Sequence, residues 1–392
     1  MIPAHRWSPH ADDTRTPMTP ARRARHAPRR RHEGPALGTF VEGLFVLHAH
    51  RRARPPMAGR TVVVTGASAG VGRAVARAFG EQGASVALLA RGRRGLDAAA
   101  AEVEEAGGRA LVIPVDMALA TRVEEAAERV EKVLGPIDVW VNSAFTSVFA
   151  RFPDVTADEY ARVTTVTYLG CVNGTRTALR RMRPRGSGVV VQVGSALGEA
   201  SVPLQAAYCG AKHAINGFTA AVRMELRHER SDVAVTVVQL PALNTPQFSW
   251  ALSRLPRRPR PVAPVYQPEV AARAVVYAAR HPRRAEYRVG ASTAGTVLAH
   301  RLAPALLDRY LARTGYDAQQ TDERARAVAP HNLWEPLDGP RGRDYGTHGS
   351  FDQEAADRSP YTVAARHRLL LSAAAGAALV TARALRTRAA RT

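Results

Sequence analysis

Short apolar runs, rich in β-branched residues, alternate along most of this chain with longer stretches whose apolar positions recur every three to four residues. The short runs fall at 61–65, 85–89, 110–115, 137–141, 189–193, 233–239 and 286–289. Each reads as a strand, and the near absence of polar residues within them means that both faces are covered. The helical spacing appears near 72–81, 96–105, 121–134, 157–183, 207–229 and 268–280. Strict alternation of the two predicts an α/β fold, a doubly wound Rossmann-type parallel sheet of about seven strands with helices on both faces.

Where this pattern starts and stops divides the chain into four segments. Residues 1–56 mix Pro, His and Arg without periodicity, which predicts a disordered basic extension, with Met57 as a candidate native start. Residues 57–292 form the Rossmann-fold domain, and residues 293–358 a helical and irregular extension that opens with a helix over 296–313. Residues 359–392 form a basic end around the apolar run 369–380; only 14 residues separate Arg368 from Arg383. That is short of the roughly 18 needed to span a bilayer, but an arginine-flanked apolar helix can lie in the interface. Inside the domain, the Pro-rich stretch 243–266 carries Phe248, Trp250, Leu252 and Leu255 after a strand's carboxyl end, and reads as a lid.

Charge changes this picture little. The formal charge is +21, yet residues 1–56 hold 11 Arg against 4 acidic residues, and residues 359–392 hold 6 Arg and no acid. More than half of the excess lies at the two ends, and no nucleic-acid reader motif accompanies it, so we expect no nucleic-acid partner. Two cysteines, Cys171 and Cys209, exclude a disulfide scaffold and a CxxC metal site. The expected location is cytoplasmic, with peripheral membrane contact through 369–380 as the further expectation.

The chemistry begins at the end of the first strand, which runs through Gly66, Ser68, Gly70, Val71 and Gly72 into a helix. Glycines at these positions let the backbone turn tightly and approach a pyrophosphate, whose charge meets the free N–H groups of the helix. A strand-turn-helix placement makes this a strong dinucleotide signal. Farther on, Tyr208 and Lys212 are four residues apart and share one face of a helix. An ammonium beside a phenol is expected to lower its pKa and make it a usable proton donor and acceptor. Lys212 is one of only two lysines in the chain, the other being Lys132. Ser195 follows the fifth strand and is placed to donate a hydrogen bond to a carbonyl oxygen.

With these motifs in order the chain resembles the short-chain dehydrogenase/reductase family, in its single-domain TGxxxGxG and YxxxK subtype. The landmarks are Thr65 to Gly72, Asp116, Asn142-Ser143-Ala144, Gly194-Ser195, Tyr208 to Lys212, and Pro241 to Thr245, over about 60% of the chain. The resemblance implies that Asp116 bonds the adenine amine, that Asn142 lies beside the adenosine ribose, and that Lys212 also holds the nicotinamide ribose. It implies that Thr245, with Pro241, holds the carboxamide, and that the protein forms a homo-oligomer. After the second strand stands Arg91 rather than an acid, which suits a 2′-phosphate and points to NADP.

Three positions depart from the family pattern. Thr167 stands where an Asn usually supports a proton-relay water, Phe145 replaces a glycine of Asn-Asn-Ala-Gly, and Ala242 replaces the glycine of Pro-Gly. The reading is therefore an NADP(H)-dependent oxidoreductase interconverting a carbonyl and an alcohol on an apolar substrate, with Ser195, Tyr208, Lys212 and Thr167 as its catalytic set. The alternative is an NADP-binding sensor or scaffold with little turnover, attached to a membrane or partner by its C-terminal helix.

Overall fold

Seven parallel strands make the central sheet: β1 (Thr61–Thr65), β2 (Ser85–Ala90), β3 (Arg109–Pro114), β4 (Ile137–Asn142), β5 (Val189–Val193), β6 (Ala234–Gln239) and β7 (Glu286–Arg288). The computed structural model describes residues 57–326 and 329–366, so the expectations for 1–56 and 369–380 lie outside the described residues. Strand order is β3-β2-β1-β4-β5-β6-β7, with the reversal of direction between β1 and β4. A crevice must open there at the carboxyl edge, because successive crossovers leave β1 toward opposite sides.

The alternation of side chains builds two cores. On β1, Val62 and Val64 face one side with Phe79, Leu96 and Val275, and Val63 faces the other with Val123, Trp140 and Met182. The first layer comprises α1 (Gly70–Gly80), α2 (Arg93–Glu105) and α7 (Pro268–Arg280). The second comprises α3 (Ala120–Leu134), α5 (Gly170–Arg185) and α6 (Ala206–His228). Fully burying each of the larger side chains, such as Trp140 and Phe79, stabilises the fold by about 2–3 kcal/mol.

Two expected helices differ from the pattern. The stretch 157–183 is α4 (Ala157–Thr164), a π-helical turn at Thr165–Leu169, and then α5. The helix expected over 296–313 is a pair, α8 (Ala291–Leu302) and α9 (Pro304–Ala318), divided where Pro304 has no N–H to continue the ladder. Among the described residues no helix is long and apolar enough to cross a membrane.

The extension after the sheet is tied down along its length. Gln320–Arg324 pairs antiparallel with Arg257–Pro259, and Ala355–Ala356 pairs with Val265–Tyr266. Leu333 is fully buried, and Phe351 packs edge-on to Phe248. Arg73, on α1, is itself buried and joins this extension to the domain: it donates to Glu102 of α2 at 2.8 Å and to Asp344. Its two acceptors are each about one third exposed, which moderates the cost of losing their partner. Arg73→Met should lower the unfolding free energy by about 1–3 kcal/mol, as read from urea denaturation. A change below about 0.5 kcal/mol would mean that the extension is not held through this residue.

Candidate active site

The turn after β1 is shaped by backbone approaching backbone. Gly66 and Gly70 have φ of +67° and +54°, in the left-handed region that favours glycine. A β-carbon at Gly66 would sit 2.8 Å from Ala144 Cα, and one at Gly72 would sit 2.1 Å from the Gly66 carbonyl oxygen. Helix α1 then begins at Gly70 with no side-chain cap. The Gly70 N–H donates to the Gly346 carbonyl at 3.1 Å, but the following turn keeps the positive end of its dipole toward the crevice. An uncapped helix start facing the cleft fits a pyrophosphate, and a β-carbon at either glycine would collide with the backbone that shapes the turn.

At the other end of the cleft, Ser195 is the buried residue just past β5. Its N–H donates to Gln239 Oε1 at 2.9 Å, and its Oγ accepts from the Leu197 N–H at 3.1 Å, so the hydroxyl proton is directed elsewhere. Gln239 in turn donates to Asn216 Oδ1 at 3.0 Å, so a fully buried amide at the end of an apolar strand fixes the Ser195 backbone. Tyr208 and Lys212 come from the first turns of α6, as their spacing predicts. Lys212 is buried, donates to the Val193 carbonyl at 2.7 Å, and lies 5.6 and 5.7 Å from the ring centroids of Tyr208 and Phe145. Phe145 meets Tyr208 edge-on at 5.7 Å, so the residue that replaces the family glycine has become part of the wall.

Both titratable groups respond to burial. Burial pushes the Tyr208 phenol above its ordinary range, and a hydrogen bond with Ser195 works in the opposite direction. Burial pushes the Lys212 ammonium down to about 8. In the chain alone burial outweighs any depression of the Tyr208 pKa by Lys212, since the low-polarity wall penalises both charged forms. Tyr208 stays protonated at neutral pH, as a proton donor requires.

Ser195, Tyr208 and Lys212 share one cleft of about 430 Å³ with the glycine turn. Ser68, Val71, Arg91, Asp116, Pro241 and Thr245 line the same cleft. Two expected site residues do not. Asn142 is buried behind the strand end, where its amide donates to Gln192 at 2.9 Å and Thr175 at 3.1 Å and accepts from Trp140 at 2.8 Å. The pleat of β4 turns it into the core, away from the cleft. Thr167 accepts from the Thr146 N–H at 3.1 Å and gives its only proton to the Thr146 carbonyl at 3.0 Å. The π-helical turn delivers it to that backbone and leaves no donor for a relay water.

Asp116 and Arg91 face the cleft but are already engaged. Asp116 accepts from Arg162 at 2.6 Å and from the Ala118 N–H at 2.9 Å. Arg91 donates to the carbonyls of Trp334 at 2.7 Å, Leu333 at 3.4 Å and Asn332. The premise that no acid stands at the end of β2 also fails in three dimensions, because the extension brings Asp338 there. Local sequence missed this acid, as it missed Thr146 and Ser147, two cleft residues with buried hydroxyls left without partners. Of the four lid residues, Phe248 and Trp250 line the cleft; Phe248 also packs with Leu255 and Phe149 in one buried cluster, and Leu252 begins a two-residue strand.

The model for the short chain dehydrogenase family matches residues 60–252. An uncharacterized oxidoreductase of Bacillus subtilis, YxnA, is 33% identical over 323 residues, covering 82% of this chain and 89% of its own length. A 3-dehydrosphinganine reductase of Danio rerio is 33% identical over 60% of this chain and 74% of its own. A 3-ketodihydrosphingosine reductase of Bos taurus is 32% identical over 62% and 75%.

The depressed pKa of Lys212 has a consequence for stability. The folded state disfavours the ammonium, so its cost is complete below about pH 8, diminishes as pH rises, and vanishes above the ordinary 10.5. The unfolding free energy of the wild type, measured relative to Lys212→Met, should therefore rise between pH 8 and 10. A flat difference across that interval would show that the ammonium is not desolvated.

Proposed function

The chain belongs to the short chain dehydrogenase family, and within it we propose an NAD(P)(H)-dependent oxidoreductase that interconverts a carbonyl and an alcohol on a substrate with a long apolar chain. The observation that carries this reading is the convergence of Ser195, Tyr208 and Lys212 on one cleft with the glycine turn. When bound, the dinucleotide supplies or accepts hydride at its nicotinamide. The glycine turn and the start of α1 would hold its pyrophosphate, and Thr245 and Pro241, which line the cleft, would hold its carboxamide.

In the reducing direction, the Ser195 hydroxyl turns its proton to the carbonyl oxygen and meets the negative charge that grows there. Tyr208, kept protonated by burial, passes its proton to the same oxygen. Lys212 gives one N–H to Val193 and retains two for the nicotinamide ribose and the phenol oxygen. Gln239 holds the Ser195 backbone, so the donor does not have to be ordered during the reaction.

Apolar substrates are favoured by the outer wall, where Phe248, Trp250, Leu307 and Tyr310 face the cleft. The names of two relatives point the same way, since both are reductases of a sphingoid ketone. The finer expectation of NADP(H) rests on Arg91, whose guanidinium is bound to backbone carbonyls, and on the lack of an acid that Asp338 supplies. A homo-oligomer, and membrane contact through 369–380, complete the proposal from the family resemblance and from the arginine-flanked apolar run. The second reading, a dinucleotide sensor with little turnover, is favoured by the commitment of Thr167 to Thr146.

Tyr208→Phe should bind NADH or NADPH, followed by fluorescence titration, within about threefold of the wild type. Its turnover of long-chain ketones should fall by about 100-fold or more. A wild type that binds dinucleotide yet reduces none of a broad ketone and aldehyde panel would select the sensor.

A further inference from the structure

At the end of β2 the chain turns through Arg91 and Gly92 into α2, and the extension lies against this corner. The Arg94 N–H donates to the Asp338 carbonyl at 3.0 Å, and Leu333, five residues earlier, is fully buried, so this part of the extension is fixed. The Asp338 side chain enters a notch that only glycines leave open. A β-carbon on Gly92 would lie 1.8 Å from its Oδ1, and one on Gly95 would lie 2.4 Å from its Oδ2. The same position on Gly95 is 2.9 Å from Ser68 Cβ, which places the carboxylate between the glycine turn and β2.

This carboxylate is 4% exposed, lines the cleft, and has Oδ2 buried without a hydrogen-bond partner. A buried carboxylate without donors is costly, and a cleft is where donors can be supplied from outside the chain. In a doubly wound sheet, the acid that reads an adenosine ribose stands at the carboxyl end of the second strand. Two of the three arginines at this corner are already engaged. Arg91 is bonded to three carbonyls, and Arg93 is paired with Asp97 at 2.7 Å.

We propose that Asp338 is the residue by which this chain reads the adenosine ribose, accepting hydrogen bonds from the ribose hydroxyls of NAD(H) and repelling the 2′-phosphate of NADP(H). The inference rests on the dinucleotide reading of the cleft given above. It replaces a recognition residue local to β2 with one delivered from the C-terminal extension, and the cofactor preference it implies is opposite to the one read from Arg91.

The test is fluorescence titration of NADH and NADPH against the full chain, Asp338→Ala and Asp338→Asn, with melting temperatures to confirm folding. The wild type should bind NADH at least tenfold more tightly than NADPH. Asp338→Ala should lose about tenfold or more in NADH affinity, as expected when charge-assisted hydrogen bonds are removed, and should gain in NADPH affinity. Asp338→Asn keeps the shape of the notch and should also gain NADPH affinity through loss of the charge alone. A wild type that prefers NADPH, or variants whose ratio of affinities is unchanged, would overturn the proposal. Equal tightening of both dinucleotides would also overturn it, because Asp338 would then be a plug and not a reader. Failure of the wild type to bind either dinucleotide would overturn the dinucleotide reading and this inference with it.

Discussion

The close approach of two backbones after β1 governs the rest of the site. With a β-carbon at position 72 only 2.1 Å from the Gly66 carbonyl oxygen, any side chain there would push α1 away from the sheet. The same turn presses on β4: Thr65 Oγ1 accepts from the N–H groups of Ser143 and Ala144 at 3.0 and 3.1 Å. That contact sets where the chain leaves β4 and carries Phe145 onto Tyr208. The glycine-turn end and the Tyr208 end of the cleft are thus joined through a few ångströms of main chain.

Much of this was legible in the sequence, for a reason particular to covered parallel sheets. A strand buried on both faces has no polar alternation to blur it, so runs such as Val62-Val63-Val64 mark their elements to within a residue or two. Ser195, Tyr208 and Lys212 were legible because a strand end and a four-residue helical spacing fix where such side chains point. Asn142 and Thr167 show the limit of that logic. The last residue of a strand faces either the cleft or the core according to the pleat, and a π-helical turn rotates a helix face by an amount that periodicity does not record.

The extension was the least legible part because it binds through backbone groups and scattered polar side chains. Arg91 reads carbonyls at 332–334, Gly70 reads the carbonyl of Gly346, and Asp338 enters a notch defined by the lack of side chains at Gly92 and Gly95. None of these contacts requires a periodic apolar pattern, so the stretch reads as polar and irregular. Its buried apolar anchors, Leu333 and Phe351, are isolated, and its polar anchors, such as Asp344 and Asp352, are single residues that follow no period.

The distance along the chain between Gly92 and Asp338 also orders the assembly of the protein. Synthesis runs from the N terminus, and the seven strands end at Arg288, so the sheet, the glycine turn and the Ser-Tyr-Lys group are all made before Asp338. Closing so long a loop is an entropic cost met only after the sheet has formed and given the extension a surface to bind. The Gly92 corner of the cleft is therefore the last part to be built, and a chain released early would possess Ser195, Tyr208 and Lys212 without the wall that stands opposite Gly92.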